Sequence, residues 1–535
     1  MIRSQKVAII FISILSVLSN LSCCHKGTMV RLKAPDRELM IRVDKNGFYH
    51  PTSEEEVVVL VKYAKENRLQ VRVRGSAHSV AKAIYTDNFK KNQDKTPETE
   101  LNIVLDRMIK VSFDDTKKEV TAEAGCHLGE DPEDCLSGNF KKSLFYQLDQ
   151  HGWALPSAGG ISHQTVGGFV ATGSAGGSVQ FSVGDQIVAM KIVDGNGSIW
   201  TLSETENPEK FHAAGVSMGL LGIITSGTFK CVEKFHIIGN ETTTNAEQTK
   251  IDIFSSGNGS NRPSLQHFFE NTEHARILWW PQKNIEKMAV WQGRRMMKED
   301  YIATGTTPEN FDAQPYELFS SIKPVSKLIQ FFAGLHFSSI EDWHERTNDP
   351  ELQSRITQAI NTFVEDGTQE FWDTWWHGLP MDIELDDKLL PTEFTELWVS
   401  IDKTEEVMNT LLTHYQTNGL SATGPYALEI YAAKQSRFWM SPSYGGDRLR
   451  INIFWFKNFK GNPDEIYFPQ FWDLLKNFGY RFHWGKYMPK NPDYLRKQYP
   501  KWDEFMKIRK EMDPDQIFLT DYWRERLGIP SHHDD

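Results

Sequence analysis

The sequence predicts an α+β protein of at least two domains. Three observations carry this reading. The chain has 535 residues, more than a single hydrophobic core ordinarily serves. Helical and strand periodicities alternate through the stretch from about residue 50 to 230. Near residue 235 the texture shifts, and 236–480 is richer in Trp and Phe and poorer in glycine. Composition is that of a globular protein, 39% hydrophobic and 24% charged, which argues against wholesale disorder. The net charge of −12, with no basic stripe carrying interleaved aromatics, argues against a nucleic-acid partner.

Taken in chain order, residues 1–24 read as a leader. Arg3 and Lys6 precede the apolar run VAIIFISILSVL, which is short for a membrane span and suited to a signal-peptide core. A cleaved signal, a retained membrane or lipid anchor, and a cytosolic start are the alternatives. The first two make the protein exported or membrane-associated. Cys23 and Cys24 match a lipoprotein box poorly. Next, PTSEEEVVVLVKYAKENRLQVRVRG gives a helix and then a strand. Ser53 and Glu56 have capping-box spacing, Val57, Leu60, Val61 and Ala64 share a face, and LQVRVRG alternates. Residues 100–125 give short strands split by the turn DDTKK. KSLFYQLDQHGWAL is an amphipathic helix ending near Gly152, and IVAMKIVDGNGSIWTLS is a hairpin turning at DGNG. Beyond the shift at 235, LPTEFTELWVSIDKTEEVMNTLLTHY reads as strand then helix. ALEIYAAKQSRFWMSPSYGGDRLRINIFWF reads as two strands paired across YGGD.

Cys126 and Cys135 bracket an acidic, turn-rich stretch. A local disulfide and two free thiols are both open, and Cys231 reads as a core residue. No CxxC or HExxH spacing points to a metal, and SHHDD reads as a solvated tail.

Four motifs stand out. In VRVRGSAHSV a histidine, His78, follows a glycine turn at a strand end. Residues 156–186 are packed with Gly, Ser and Thr, which let backbone N–H groups approach anionic oxygens; a pyrophosphate is the obvious guest. No GxGxxG joins a strand to a helix, and no GxxxxGK[ST] is present. GVSMG (215–219) has the letters of a nucleophile elbow but lies after a helix and before a strand, the reverse of what an elbow needs. Gly219 and Gly222 fit a close-approach turn better. HWGK (483–486) is the fourth. The tryptophan clusters ILWWPQ and FWDTWWHG read as packing of the second domain rather than as a sugar platform.

Taken together, VRVRGSAHS, GISHQTVGGFVATGSAGG, GLLGIITSGTF, HWGK and DPDQIFLTDYW, in that order, resemble the flavin-linked oxidases of the vanillyl-alcohol-oxidase type, the PCMH-type FAD-binding family. The nearest branch is that of the sugar-lactone (gulonolactone, D-arabinono-1,4-lactone) and alditol oxidases. The likeness spans roughly residues 45–525 and is thinnest over 240–420. It implies an FAD-binding domain at 40–235, a cap domain of antiparallel sheet flanked by helices at 236–480, and a segment 481–535 that completes the FAD domain. It places FAD along Arg74, Gly75, Ser76, Ala77, His78 and Ser79, along Gly159, Gly160, Ser162, Gly167, Gly168, Thr172, Gly173 and Ser174, and at Gly222, Ile224 and His483. In many members the histidine matching His78 is joined covalently to the flavin. The residue before it is usually glycine; here it is Ala77, which is costly if φ there is positive.

The resemblance also implies the chemistry. A CH–OH group of a small alcohol, polyol or lactone gives hydride to the flavin. Glu429 matches the family's catalytic glutamate and Lys486 the lysine of HWGK. Tyr431 stands where the family has arginine, and Asn452 and Phe454 stand where alditol oxidases have His and Thr. These three changes predict a pocket that is less cationic and more apolar. Glu429 as a half-buried carboxylate merely paired with a nearby Arg or Lys is the alternative. Gly159 matches the position where a small residue admits O2, so O2 is the expected acceptor. A dehydrogenase using a quinone or cytochrome, and an exported flavin-binding protein without turnover, are the competing readings.

Overall fold

The computed structural model describes residues 27–34, 37–89, 100–134, 136–259, 261–316, 340–380 and 392–530. The leader 1–24, Cys135 and the SHHDD tail lie outside the described residues, and with Cys135 the expected alternative of a Cys126–Cys135 disulfide. Cys126 itself is a buried free thiol. Among the described residues no helix is long and apolar enough to cross a membrane.

The first sheet is formed by β1 (Gly27–Ala34), β2 (Arg37–Asp44), β3 (Phe48–Tyr49), β4 (Gln70–Arg74) and β5 (Glu100–Val104), in the order β1-β2-β3-β5-β4. β4 and β3 both run parallel to β5. The β1–β2 hairpin is an addition to the expected domain. Its signal was the alternation that buries Leu32, Ala34, Ile41 and Val43. Helix α1 (Glu54–Asn67) packs Val57, Leu60, Val61 and Ala64 against this sheet. Its start is a modified capping box. Ser53 Oγ accepts from Glu56 N (3.3 Å), but the Glu56 carboxylate accepts from Thr52 N (2.6 Å), one residue ahead of the cap.

The second sheet holds β6 (Val111–Asp114), β7 (Glu119–Glu123), β8 (Ile187–Val193), β9 (Ile199–Ser203) and β10 (Ile223–Lys230), all antiparallel, in the order β9-β8-β10-β7-β6. DDTKK and DGNG are hairpin turns, as their residues predict. The helix Pro208–Ala214 precedes Ser217 and β10 follows it, with Ser217 fully buried, so the GVSMG turn is not an elbow.

The third sheet has eight antiparallel strands: β11 (His236–Asn245), β12 (His274–Trp280), β13 (Lys287–Arg295), β14 (Gly367–Thr374), β15 (Thr392–Ser400), β16 (Leu428–Ala433), β17 (Arg448–Phe456) and β18 (Arg481–Phe482). Their order is β14-β11-β13-β12-β16-β17-β15-β18. β16 and β17 pair with Glu429 opposite Asn452, but not through a tight YGGD turn: the whole of 434–447 connects them, and YGGD is only its end. Trp279 and Trp280 are buried in β12, and Trp375 packs on Phe145, so these rings serve as core.

The C-terminal segment lies against the first sheet. Ile517 O accepts from Val71 N (2.8 Å). Buried Arg72 donates to Phe518 O (3.1 Å), Ala83 O (2.6 Å) and Met218 O (2.8 Å), fastening the chain end to the turns beside β4.

Candidate active site

β4 ends at Arg74 and the chain turns through Gly75–Ser79. The turn is held from two sides. Ser76 Oγ donates to His163 O (2.7 Å) and lies 3.2 Å from His127 Nδ1, while His127 Nε2 is anchored on Asp134 (2.9 Å). A Cβ on Gly75 would sit 2.3 Å from Thr165 Oγ1, so only glycine permits this approach. From the far end of the chain, Gly485 O accepts from Val80 N (2.8 Å) and the Lys486 ammonium donates to His78 O (2.8 Å). The His78 ring lies 4.1 Å from the His163 ring. Ala77 adopts φ +60°, the left-handed conformation for which glycine is better suited.

This turn opens on a cavity of about 780 Å³, at the large end of the range of about 300–1,000 Å³ for ligand pockets. It is continuous from β4 and the glycine-rich loop to the face of the third sheet. Every residue the sequence singled out lines it except three. Gly159 faces away: a Cβ there would meet the Gln164 amide at 2.6 Å and Phe169 at 3.4 Å, and the neighbouring Gly160 lines the cavity in its place. Ser162 is buried and gives its carbonyl to Gly129 N. Gly173 makes a turn at φ +76° against Val216 and Pro442.

At the outer end the walls suit a pyrophosphate. Loop 160–175 carries no acidic side chain. A Cβ on Gly168 would meet only Thr165 Oγ1, at 3.5 Å, and would otherwise project into the cavity. Ser76, Ser79, Thr172 and Ser174 add hydroxyls, Arg74 adds a cation, and Gly222 (φ +143°) packs so close to β8 that a Cβ there would sit 2.3 Å from Val193 O. The volume, the glycine cradle and the donor set fit FAD.

At the inner end, Glu429 on β16 is buried. Its Oε1 accepts from Tyr431 Oη (2.7 Å) and its Oε2 from Asn452 Nδ2 (2.8 Å), and Arg276 Nη1 on β12 lies 3.9 Å away. Arg450 on β17 donates to Glu396 (2.8 Å) and to Ala175 O and Gly176 O (3.0 Å each), tying the sheet to the glycine loop. Its guanidinium covers the Trp398 and Tyr431 rings. Burial opposes charge on Glu396, but Arg450, and beyond it His483 and Lys486, hold its carboxyl below the ordinary range. Burial pushes His483 down to about 4, with Lys486 and Arg450 adding to the effect against Glu396, so the ring is neutral and its Nδ1 accepts from Gly485 N (3.1 Å).

Besides the neutral Tyr431 on β16, two cations that the sequence reading did not name, Arg276 and Arg450, line the cavity from the two flanking strands. These residues and Glu396 were missed by sequence reasoning. Their signal was a charge inside otherwise apolar strands, in HARILWW, RLRINIFWF and TEFTELWVS.

Residues 45–131 and 135–203 match the family described as FAD binding domain, and residues 228–526 match that described as D-arabinono-1,4-lactone oxidase. The chain is 27% identical to L-gulonolactone oxidase of Bos taurus (89% of this chain, 93% of the relative). It is 25% identical to L-gulono-1,4-lactone dehydrogenase of Mycobacterium tuberculosis (89% and 95%). Cholesterol oxidase from B. sterolicum shares the fold, with a TM-score of 0.66 at 13% identity over 94% of this chain and 97% of that one. With the cavity and these matches in hand, the chain belongs to the D-arabinono-1,4-lactone oxidase family and is an FAD-dependent oxidoreductase acting on CH–OH donors.

Proposed function

We propose that this enzyme oxidises a secondary alcohol of a small sugar lactone or related polyol, with Glu429 accepting the hydroxyl proton and O2 taking up the electrons as H2O2. The observation that carries the reading is the placement of a buried carboxylate, held on both oxygens by Tyr431 and Asn452, in one cavity with the glycine turn and Lys486. When bound, FAD supplies the two-electron acceptor for hydride leaving the substrate carbon. The chain supplies the rest. Tyr431 and Asn452 fix the carboxylate so that one orientation faces the cavity. Lys486, 4.0 Å above the Phe394 ring, brings a positive charge to the wall between the turn and the sheet, where negative charge developing in the transition state is stabilised. Phe394 and Phe454 give this end of the cavity apolar wall.

His78 is the residue we assign to a covalent attachment of FAD. It lines the cavity on a turn fixed by Ser76 and Lys486. Residues 40–235 and 481–535 make up the FAD-binding unit in this proposal and 236–480 the cap, and the apolar run in 1–24 supports an exported or membrane-associated enzyme. Gly160, the glycine that lines the cavity, is the candidate small residue for O2 access. A relative named as a dehydrogenase favours a second reading, with a quinone or cytochrome as acceptor.

The test is anaerobic mixing of holoenzyme with L-gulono-1,4-lactone and with D-arabinono-1,4-lactone, followed by flavin bleaching and then by peroxide release on admitting air. Bleaching in wild type but not in Glu429→Gln supports the proton-transfer role. Bleaching without peroxide moves the acceptor to the second reading. Equal bleaching by both proteins removes Glu429 from the reaction. Acid precipitation of wild type and His78→Ala reads the attachment: yellow colour leaving the pellet in wild type would refute it.

A further inference from the structure

Arg276 lines the cavity and lies between two buried carboxylates, Glu241 and Glu429. It projects from β12, 2% exposed. One nitrogen, Nη1, lies 3.9 Å from Glu429 Oε1. The other, Nη2, donates to Tyr316 Oη (3.2 Å) and lies 3.8 Å from Glu241 Oε2 on β11. Tyr316 Oη in turn donates to Glu241 (2.5 Å). Glu241 and Tyr316 do not line the cavity, so they grip the guanidinium from behind and leave its other edge on Glu429.

We propose that Arg276 is a positioning residue that keeps Glu429 in its proton-accepting carboxylate form, with the Tyr316–Glu241 pair fixing the guanidinium. The proposal rests on the assignment of Glu429 above. A carboxyl out of water favours its neutral form, and a neutral Glu429 accepts no proton. A cation within about 4–6 Å reverses that preference by about 1–3 pH units.

Among the described residues, Arg276 is a cation in ion-pair range of Glu429. From its own strand comes Tyr431, a neutral hydrogen-bond donor. From β17 come the neutral Asn452 and Arg450, and the latter is committed to Glu396 on β15. From the chain end come neutral His483 and Lys486, whose ammonium bonds His78 O and adds a further positive charge to the cavity wall. Tyr426 lines the wall and carries no charge. Behind Arg276, burial pushes Glu241 up while Arg276 and Tyr316 pull it down, with a net upward shift.

The test uses holoenzyme and a readout that needs no substrate. Infrared pH-difference spectra, each assigned by subtracting the matching Glu429→Gln protein, give the ionisation midpoint of Glu429. We expect the midpoint to rise by about 1–3 pH units in Arg276→Met and to return toward wild type in Arg276→Lys. Arg276→Gln, which can still bond Tyr316, is the second neutral variant should Arg276→Met fail to fold, and it should show the same rise. The acid limb of lactone-driven flavin reduction should move with the midpoint. An unmoved midpoint in a folded neutral variant overturns the proposal. A moved midpoint with flavin reduction insensitive to Glu429→Gln leaves the Arg276–Glu429 coupling standing and overturns the catalytic assignment of Glu429 instead.

Discussion

The Lys486 ammonium donates to the backbone carbonyl of His78 over 2.8 Å, joining two residues 408 positions apart. The bond makes the HWGK segment part of the same wall as the glycine turn. Lys486 thus has two jobs, one on the turn and one toward the cavity. We expect Lys486→Met to slow flavin reduction by about 10²–10³-fold, while FAD is retained because Val80 N still bonds Gly485 O. Stopped-flow bleaching and the flavin-to-protein absorbance ratio read the two effects apart; parallel losses would make the lysine a fastener only.

Ala77 pays for its left-handed φ of +60°. Glycine there relieves the strain, and valine aggravates it because a branched Cβ clashes at positive φ. Ala77→Gly should stabilise the protein by about 0.5–1 kcal/mol and Ala77→Val should destabilise it. Thermal midpoints of the holoenzymes check the order, and Ala77→Gly falling below wild type would contradict it.

A pH dependence of stability follows from His50. Its Nδ1 lies 2.8 Å from Asp106 and its Nε2 3.7 Å from Asp44. Burial disfavours the charged ring, yet the two carboxylates outweigh it and push His50 up to about 9 from 6.5. A raised folded-state value stabilises fully below about pH 6.5, and the contribution is lost as pH climbs through about 9. Wild type should lose more stability across that window than His50→Gln, as measured by denaturant midpoints at its two ends. Identical losses would show that His50 does not titrate there.

Arg72 is a structural bracket at the cavity wall. Removing it strands the buried carbonyls of Phe518 and Met218, while Ala83 O keeps the Trp523 indole as donor. Arg72→Leu should cost at least about 3 kcal/mol and release the C-terminal segment first. Limited proteolysis near residues 513–523 should accelerate before the rest of the chain unfolds; uniform unfolding would argue against the bracket.

Gly160 lines the cavity and Gly159 does not. If O2 is the acceptor, Gly160→Ala should slow reoxidation by at least about tenfold, or about 1.4 kcal/mol of barrier, with lactone-driven reduction little changed. Gly159→Ala should instead push on the Gln164 amide and leave reoxidation alone. The reverse pattern would restore the register read from sequence.

The sequence by itself determined what is local. Ser53 and the Val57–Ala64 stripe made α1, DDTKK and DGNG made hairpins, and the order helix–Ser217–strand ruled out an elbow, because periodicity and turn chemistry act over a few residues. The glycine turn, the Gly/Ser/Thr loop and HWGK were legible as a cofactor site for the same reason: each needs particular residues at fixed short spacing. Tertiary structure alone decided the charges around Glu429. Arg276 lies more than 150 residues before it and Arg450 beyond the next turn, and they meet it only because β12 and β17 pair with β16. Strand pairing is non-local, and nothing in HARILWW states which neighbour it will have. The exchange of Gly159 for Gly160 has the same origin. A shift of one residue in an irregular loop leaves no trace in composition, yet it decides which Cα faces the cavity.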